Sequence, residues 1–448
     1  MSRIGFRSVL LLISALAVCS FAVAGDSHVR IVRLSYVEGN IQIDRGSGQF
    51  EKAMTNLPIA QGTKLRTADD GRAEVEFEDG STLRLTPETA IQFSDLSLQE
   101  SGGKVSTLDI EKGTVYVDYM ESKNSEFTVH FARETVRLSE RAHLRIGIGD
   151  AKATVAVFRG EVQAEGPAGA TLIKKSQTGN FDLSNSDSFV LAKKVEQSPF
   201  DNWDKQQSDF HVRYASNSNN SYSPYGYGTS DLAYYGNFFN APGYGMMWQP
   251  YFVGAGWDPF MDGAWAFQPG WGFGWVSAYP WGWTPYHYGT WVFLPGYGWA
   301  WQPGGVWTTW YAQPRIVNAP AGFAVPQAPT SGRTTVAVNR GPTAAGVSGS
   351  KLVIRNNSAG LGIRRGEINN LAKVSQQVQE HGTATQNARI APTPQATGPA
   401  LGSRESGRVQ PSSSRASRPM PQVDRGGMAP ASRSSAPGPS PGAGRVPR

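Results

Sequence analysis

Residues 71–85 read GRAEVEFEDGSTLRL, and this stretch decides the fold class of the first half of the chain. Up to Phe77 its apolar residues alternate with glutamates, which is the period-two pattern of a strand buried on one face. Asp79-Gly80 follows, and both residue types accept the positive φ angles of a tight hairpin turn. Two leucines then resume the apolar alternation, so the stretch predicts an antiparallel hairpin.

The same pattern recurs throughout residues 29–192. Lys112-Gly113, Gly149-Asp150 and Arg159-Gly160 each separate runs in which apolar and polar residues alternate. Many short strands with turn signals between them predict an antiparallel β sandwich or roll. The polar alternates are expected to form a solvated face, and examples are Arg84, Asp109 and Asp118.

The order of motifs in this region resembles the FecR family, which is named for periplasmic ferric-citrate regulators. The motifs that carry the resemblance are GTKLRT at 62–67, GRAEV at 71–75, DGSTLRL at 79–85, GTV at 113–115 and VFRGEV at 157–162. The resemblance implies a FecR-like β domain in the cell envelope. Signalling members carry a cytosolic helical region and a membrane span before this domain, where this chain has a short signal. A relay to a cytosolic sigma factor is therefore not expected.

Residues 1–24 have the features of a signal peptide. Two arginines precede an apolar run at 9–23, and Ala22-Val23-Ala24 is a cleavage motif. We expect an exported protein in the periplasm, in the outer envelope or secreted, although an uncleaved segment of this length can also serve as an anchor. Cys19 is the single cysteine and lies inside the signal, so the mature chain is expected to hold no disulfide.

Residues 232–310 contain most of the 13 tryptophans and three copies of one pattern. The copies read NFFNAPGYG at 237–245, AWAFQPGWG at 264–272 and TWVFLPGYG at 290–298, each followed by a tryptophan three residues later. Pro-Gly favours a tight turn, so each copy predicts one β-hairpin in a repeated aromatic domain. The repeats resemble an uncharacterised family, rich in Trp, Tyr, Gly and Pro, that is often found with FecR domains, and this resemblance implies no activity.

Two further segments complete the predicted organisation. Residues 193–231 are expected to be a connector with a short helix from Pro199. Residues 311–448 are rich in Pro, Ser, Ala, Gly and Arg, which predicts a disordered tail. One exception within the tail is a helical face that consists of Ile368, Leu371, Val374 and Val378.

The tail is also basic, with 17 Lys and Arg against 4 Asp and Glu from residue 315 onward. Such a tail can bind anionic lipid or an acidic polymer, whereas nucleic acid is not expected as a partner of an exported protein.

Catalytic chemistry is not indicated by the sequence. It contains no zinc-protease, nucleophile-elbow, phosphate-loop or dinucleotide motif, and its six histidines lack ligand spacing. We therefore expect no enzyme, no metal and no cofactor. The predicted function is an exported envelope protein that binds a partner protein or a cell-surface polysaccharide. The alternatives are a structural envelope protein docked by its basic tail, and a periplasmic sensory component without a sigma-factor relay.

The aromatic repeats supply the predicted binding residues, because flat exposed rings stack on sugars and on apolar partner surfaces. These residues are Trp271, Trp281, Trp283, Tyr286, Tyr288, Trp291, Tyr297 and Trp299. The first three lie beside glycines and turns and are expected to be exposed. The competing interpretation is that the tryptophans form the core of a small sheet, in particular Trp265, Trp275, Trp291 and Trp301.

Overall fold

The structure is a computed structural model that describes residues 30–184, 188–215, 223, 225–305, 307, 314–341 and 345–388. The predicted signal peptide and residues 389–448 lie outside these ranges. The described residues are mainly strand, which confirms the all-β prediction. None of the helices in the described ranges has the length and apolar character needed to span a membrane.

The first domain contains 17 strands between residues 32 and 192. In chain order, β1 to β17 are Val32–Glu38, Ile41–Asp44, Glu51–Lys52, Pro58–Ile59, Lys64–Thr67, Arg72–Glu76, Thr82–Leu85, Ala90–Leu98, Lys104–Tyr119, Glu126–Phe131, Glu134–Leu138, Ala142–Ile148, Lys152–Arg159, Glu161–Gly166, Gly169–Lys174, Thr178–Asp182 and Phe189–Ala192. Sheet I has the order β4-β1-β6-β7-β9-β12-β13-β16-β17. Sheet II has the order β3-β2-β5-β8-β9-β10-β11-β14-β15.

The two sheets enclose one apolar core, as the sandwich prediction requires. Val75, Leu83 and Val117 of sheet I share this core with Leu65 and Phe93 of sheet II, and all five side chains are buried. Within these two sheets, every strand pairing that the structure describes is antiparallel except the one between β9 and β10. Burial of the alternating apolar face is therefore the main source of stability in this domain.

The turn predicted at Lys112-Gly113 is wrong, because β9 continues through it and belongs to both sheets. Its first half pairs with β8 in sheet II, and its second half pairs with β7 in sheet I. Gly113 has φ 92° and lies so close to Thr89 that a Cβ atom would be 2.5 Å from the Thr89 Cα. Glycine is needed there for a kink within a strand, whereas Gly80 and Gly149-Asp150 do form the predicted hairpin turns.

The three aromatic repeats form three hairpins, as predicted. Their strands β18 to β23 are Gly236–Ala241, Gly245–Pro250, Asp262–Gln268, Gly272–Ser277, Thr290–Leu294 and Gly298–Gln302. The first and third hairpins share a five-stranded sheet of order β18-β19-β23-β22-β24, in which β24 is Arg315–Val317. The second hairpin lies in a three-stranded sheet of order β21-β20-β25, in which β25 is Val336–Asn339.

Part of the predicted disordered tail is folded. Strands β24 and β25 extend the aromatic sheets, and residues 345–388 contain a further sheet and a helix. The elements of this last segment are β26 Gly346–Ser348, β27 Lys351–Arg355, β28 Thr383–Asn387 and the helix Leu371–His381. The helix carries the predicted apolar face, which packs into the aromatic core together with Ile354. Composition alone missed this fold because its apolar residues find partners in another domain.

The other helices lie in and after the connector. They are α1 Asp201–Ala215, α2 Thr229–Tyr235 and α3 Thr284–His287, and the helix at Leu371–His381 is α4. The predicted connector helix is thus confirmed, and its Trp203 and Phe210 are buried.

The polar face of β6 and β7, predicted to be solvated, is instead buried. Arg84 is 1% exposed and Glu74 is 0% exposed, because α1, α2 and the segment around Arg365 cover them. Asp109 and Asp118 are half-buried. Alternation identifies the polar side of a strand but does not reveal whether another domain covers that side.

The covered face holds an ion-pair network that joins the two domains. Arg84 contacts Asp204 of α1 at 2.7 Å, and Arg365 contacts Glu74 at 2.6 Å and Asp231 of α2 at 2.8 Å. Burial opposes ionisation of Glu74, but the charges of His211 and of the two arginines hold its pKa well below the usual range. The FecR-like face and the aromatic domain are therefore joined by buried ion pairs, in which each charged group stabilises the ionised form of its partner.

Candidate binding site at the hairpin turns

Each aromatic hairpin ends in the same turn, and the sequence explains its geometry. In the first hairpin the Tyr244 N–H donates to the Ala241 carbonyl over 3.0 Å, with Pro242 and Gly243 between them. Proline fixes φ at the second position of a type II turn, and glycine supplies the positive φ of the third, here 80°. The aromatic residue that follows is therefore held at the tip of the hairpin.

The other two repeats have the same arrangement. The Trp271 N–H donates to the Gln268 carbonyl over 3.0 Å, and the Tyr297 N–H donates to the Leu294 carbonyl over 3.1 Å. Trp271 is 37% exposed and Tyr297 is 53% exposed, while Tyr244 is half-buried. Each repeat thus presents one ring at its turn.

Two glutamines lock the first and third turns together. The Gln249 Nε2 donates to the Tyr297 carbonyl over 2.8 Å, and the Gln302 Nε2 donates to the Tyr244 carbonyl over 2.6 Å. Each glutamine follows the repeat tryptophan of its own hairpin, and those tryptophans, Trp248 and Trp301, are register partners across the sheet. The two hairpins are consequently related by an approximate two-fold arrangement.

A cleft of about 290 Å³ lies between these two turns. It is lined by three residues of the first hairpin and their equivalents in the third, namely Ala241, Pro242, Tyr244, Leu294, Pro295 and Tyr297. The Tyr297 ring stacks on Phe239 with 5.4 Å between ring centroids and 18° between planes, and the Asn318 Nδ2 donates to the Tyr244 hydroxyl over 3.2 Å. The walls are therefore prepositioned rings, with two tyrosines as their polar groups.

The lining of this cleft is uncharged and mostly apolar. The residues that line it include no carboxylate, histidine, lysine or arginine. Within the described ranges, no group of three or more His, Cys, Asp or Glu side chains could hold a metal ion. Flat aromatic and proline surfaces suit a ligand that offers C–H faces, such as a sugar ring.

The eight predicted binding residues divide by burial. Trp271 and Tyr297 are exposed and Tyr288 is half-buried. The other five are at most 3% exposed, and they are Trp281, Trp283, Tyr286, Trp291 and Trp299. The prediction of exposure is thus wrong for Trp281 and Trp283.

Specific contacts explain why Trp281 and Trp283 are buried. The Trp281 Nε1 donates to the Ala359 carbonyl over 2.7 Å, and its ring stacks on Tyr279 at 5.0 Å. Trp283 packs against His287 with 4.5 Å between centroids. Burial lowers the pKa of His287 to about 3, so this histidine is neutral in the core at physiological pH.

The competing core interpretation is correct for the four tryptophans that were named with it. Trp265, Trp275, Trp291 and Trp301 are all at most 4% exposed and belong to one aromatic core. Sequence reasoning did not select Tyr244, Gln249 or Gln302. The signal was present in the repeats, because Trp-Gln-Pro occurs at 248–250 and 301–303, whereas the second repeat has Trp-Val-Ser at 275–277.

Two family models match the chain. The FecR protein model matches residues 63–163, and the model of a family of unknown function (DUF6600) matches residues 229–330. The chain carries a FecR domain. The domain of unknown function that follows contains all three hairpins, and both predicted resemblances are confirmed.

The solved structures that resemble the chain do so weakly. Two crystal structures of a proposed anti-sigma factor from Parabacteroides distasonis match with 14% and 13% identity and TM-scores of 0.25 and 0.26. Each match covers 29% of this chain and spans 59% of the length of the solved chain. No curated protein matches the chain.

Proposed function

We propose that this protein is an exported, non-catalytic binding component of the bacterial envelope that holds a cell-surface polysaccharide in the cleft between its first and third hairpin turns. The FecR domain supports the envelope location. The observation that carries the proposal is the cleft itself, which pairs equivalent tyrosines and prolines of two repeats across about 290 Å³. A partner protein is the competing occupant.

Sugar stacking fits this cleft better than a charged or extended partner surface does. Its walls are uncharged and rigid, because type II turns and the glutamine contacts fix them. A preorganised site loses little conformational freedom on binding, so a few ring contacts are enough for measurable affinity. Tyrosine hydroxyls at the rim can then bond to sugar hydroxyls.

The test is isothermal titration of the purified mature chain with chitohexaose and cellohexaose. Tryptophan emission is unsuitable, since no tryptophan lines the cleft. We expect saturable binding of at least one glycan, and a loss of about tenfold or more when Tyr244 and Tyr297 are both replaced by serine, which corresponds to about 1.4 kcal/mol. Replacement of both by phenylalanine should retain most of the affinity.

The matched control is Met246→Ser. Met246 lies in the first hairpin and is 41% exposed, but it does not line the cleft. Equal losses in the control and in the double serine variant would contradict a role for the cleft. Binding of a purified envelope protein that the double variant abolishes, without any glycan binding, would favour the partner-protein alternative.

A sensory role is the second candidate, and the packing of the second hairpin favours it. Ala266 and Val276 of that hairpin lie in the core of the FecR domain. A ligand that reduces the mobility of the aromatic domain would therefore also slow the exchange of backbone amide hydrogens in the FecR strands. Hydrogen exchange of β6 and β7 with and without saturating glycan tests this, and unchanged exchange rates argue against it.

The tail-docking hypothesis has its own test. Residues 345–388 are folded, so the appropriate deletion starts at residue 389 and leaves this part intact. Under tail docking the shortened protein should be released from the envelope fraction while its glycan binding persists. Full retention in the envelope would contradict that hypothesis.

A further inference from the structure

A second and larger cleft, of about 420 Å³, lies where the FecR domain meets the turn of the second hairpin. The FecR domain contributes its loop at 45–51, and the aromatic domain contributes Phe267, Pro269 and Gly270. Arg333 and Thr334, from the segment before β25, complete the lining. Its volume lies within the range of about 300–1,000 Å³ that is typical of small-ligand sites.

The FecR loop is held in shape before any ligand arrives. The Asp44 Oδ1 accepts hydrogen bonds from the backbone N–H groups of Gly46, Ser47 and Gly48 at 3.0 to 3.1 Å. Asp44 itself is 6% exposed. This carboxylate is therefore fully engaged within the loop and does not face a ligand as a free anion.

Arg45 is the buried cation of this cleft. Its side chain is 3% exposed, and its Nε donates to Glu51 over 2.9 Å while its Nη2 donates to Thr335 over 3.1 Å. The Nη1 is buried and has no hydrogen-bond partner within the described residues. A buried donor without an acceptor costs about 1–3 kcal/mol, so an acceptor supplied by a ligand would be stabilising.

The charge around the cleft is positive. Glu51 is the one lining carboxylate, and its second oxygen already accepts from the Thr335 N–H and hydroxyl. Arg333 is exposed and makes no ion pair with any residue that the structure describes. Arg66, which likewise makes no ion pair in the described ranges, lies over the Phe50 ring with 4.0 Å between its Cζ and the centroid.

We propose that this cleft binds an acidic saccharide residue, a sugar ring that carries a carboxylate. The ring lies against Phe50 and Phe267, and the carboxylate is held by Arg333 in the positive field of Arg45. Guanidinium groups recognise carboxylates with paired hydrogen bonds, and aromatic faces suit the ring. This proposal rests on the proposed function, because it names the chemical class of the polysaccharide.

The test compares a short oligogalacturonate with its methyl ester, which keeps the sugar backbone and removes the charge. Calorimetry uses the mature chain at low salt. We expect the acid to bind about tenfold more tightly than the ester, and Arg333→Gln to remove most of that difference. The matched control is Arg355→Gln, which removes the charge of another exposed arginine that lies outside the cleft and should change affinity less than about twofold.

Several outcomes would overturn this inference. They are equal affinity for acid and ester, equal effects of the two arginine variants, absence of binding, and displacement of the acid by inorganic phosphate as efficiently as by galacturonate. If the double serine variant at Tyr244 and Tyr297 loses glycan binding while Arg333→Gln retains it, the inference fails and the proposed function stands. If none of these variants affects glycan binding, both fail.

Discussion

Replacement of Arg365 by methionine tests the connection between the domains and the folding of the segment around it. The Arg365 side chain is 2% exposed and reaches Glu74 at 2.6 Å, Asp231 at 2.8 Å and the Ser35 carbonyl at 3.0 Å. Methionine keeps a similar apolar stem but leaves two buried carboxylates without this partner. Removal of one partner from a buried ion pair costs about 3–5 kcal/mol.

We expect the lower end of that range, about 3 kcal/mol, because other cations remain. Arg84 still contacts Glu74 at 2.8 Å, and Arg33 still contacts Asp231 at 2.8 Å. The assay is urea unfolding of the full chain. Tryptophan emission is a sensitive probe of it, since most described tryptophans are buried and become exposed on unfolding.

The neighbouring residue gives a matched control. Arg364 is 50% exposed and pairs with Glu38 at 3.0 Å, so Arg364→Met should cost less than about 1 kcal/mol. If the two variants lose the same free energy of unfolding, Arg365 is not docked as described, and the expectation of a disordered segment at this point would be restored.

Two other predictions concern the core. Burial lowers the pKa of His287 to about 3 from 6.5, so below pH 6.5 the unfolded chain takes up a proton that the folded chain does not. Lowering the pH from about 7.5 to about 5 should therefore remove about 2 kcal/mol of stability through this group. His287→Gln should be less sensitive to pH by that amount in urea titrations, and an unchanged pH dependence would contradict burial of the neutral imidazole. Gly113→Ala should lower the free energy of unfolding by about 2 kcal/mol or more beyond the loss caused by Gly80→Ala. Both glycines have positive φ, but only at position 113 would the new Cβ atom collide with neighbouring backbone. Equal losses in thermal unfolding would refute the kinked-strand geometry.

The local parts of the fold were predictable from the sequence because they depend on residues close in the chain. Pro-Gly before an aromatic residue fixes each hairpin turn through φ alone, and alternation fixes which side chains of β6 face the core. The helix at Leu371–His381 was predictable for the same reason, since its apolar face repeats every three to four residues.

The non-local parts were not predictable from one sequence. Glu74 contacts Arg365 across 291 positions, and no local pattern distinguishes a glutamate that faces water from one that meets a distant arginine. The same reason explains why the prediction that Trp281 is exposed was wrong, since its ring is covered by residues that include Ala359. Glycines beside an aromatic residue indicate a turn, but they do not indicate what packs on top of that turn.

The divergence of the second repeat accounts for the presence of two different clefts. Glutamines after the repeat tryptophans bind the first and third hairpins to each other, and the cleft between them is uncharged. At the equivalent position the second hairpin has Val276, which is 3% exposed and packs into the core of the first domain, so its turn meets the loop at 45–51, which carries Arg45. Sequence differences between the repeats thus accompany a change in the partner of a hairpin, from another repeat to another domain, and with it a change in the chemistry of the surface that the turn helps to form.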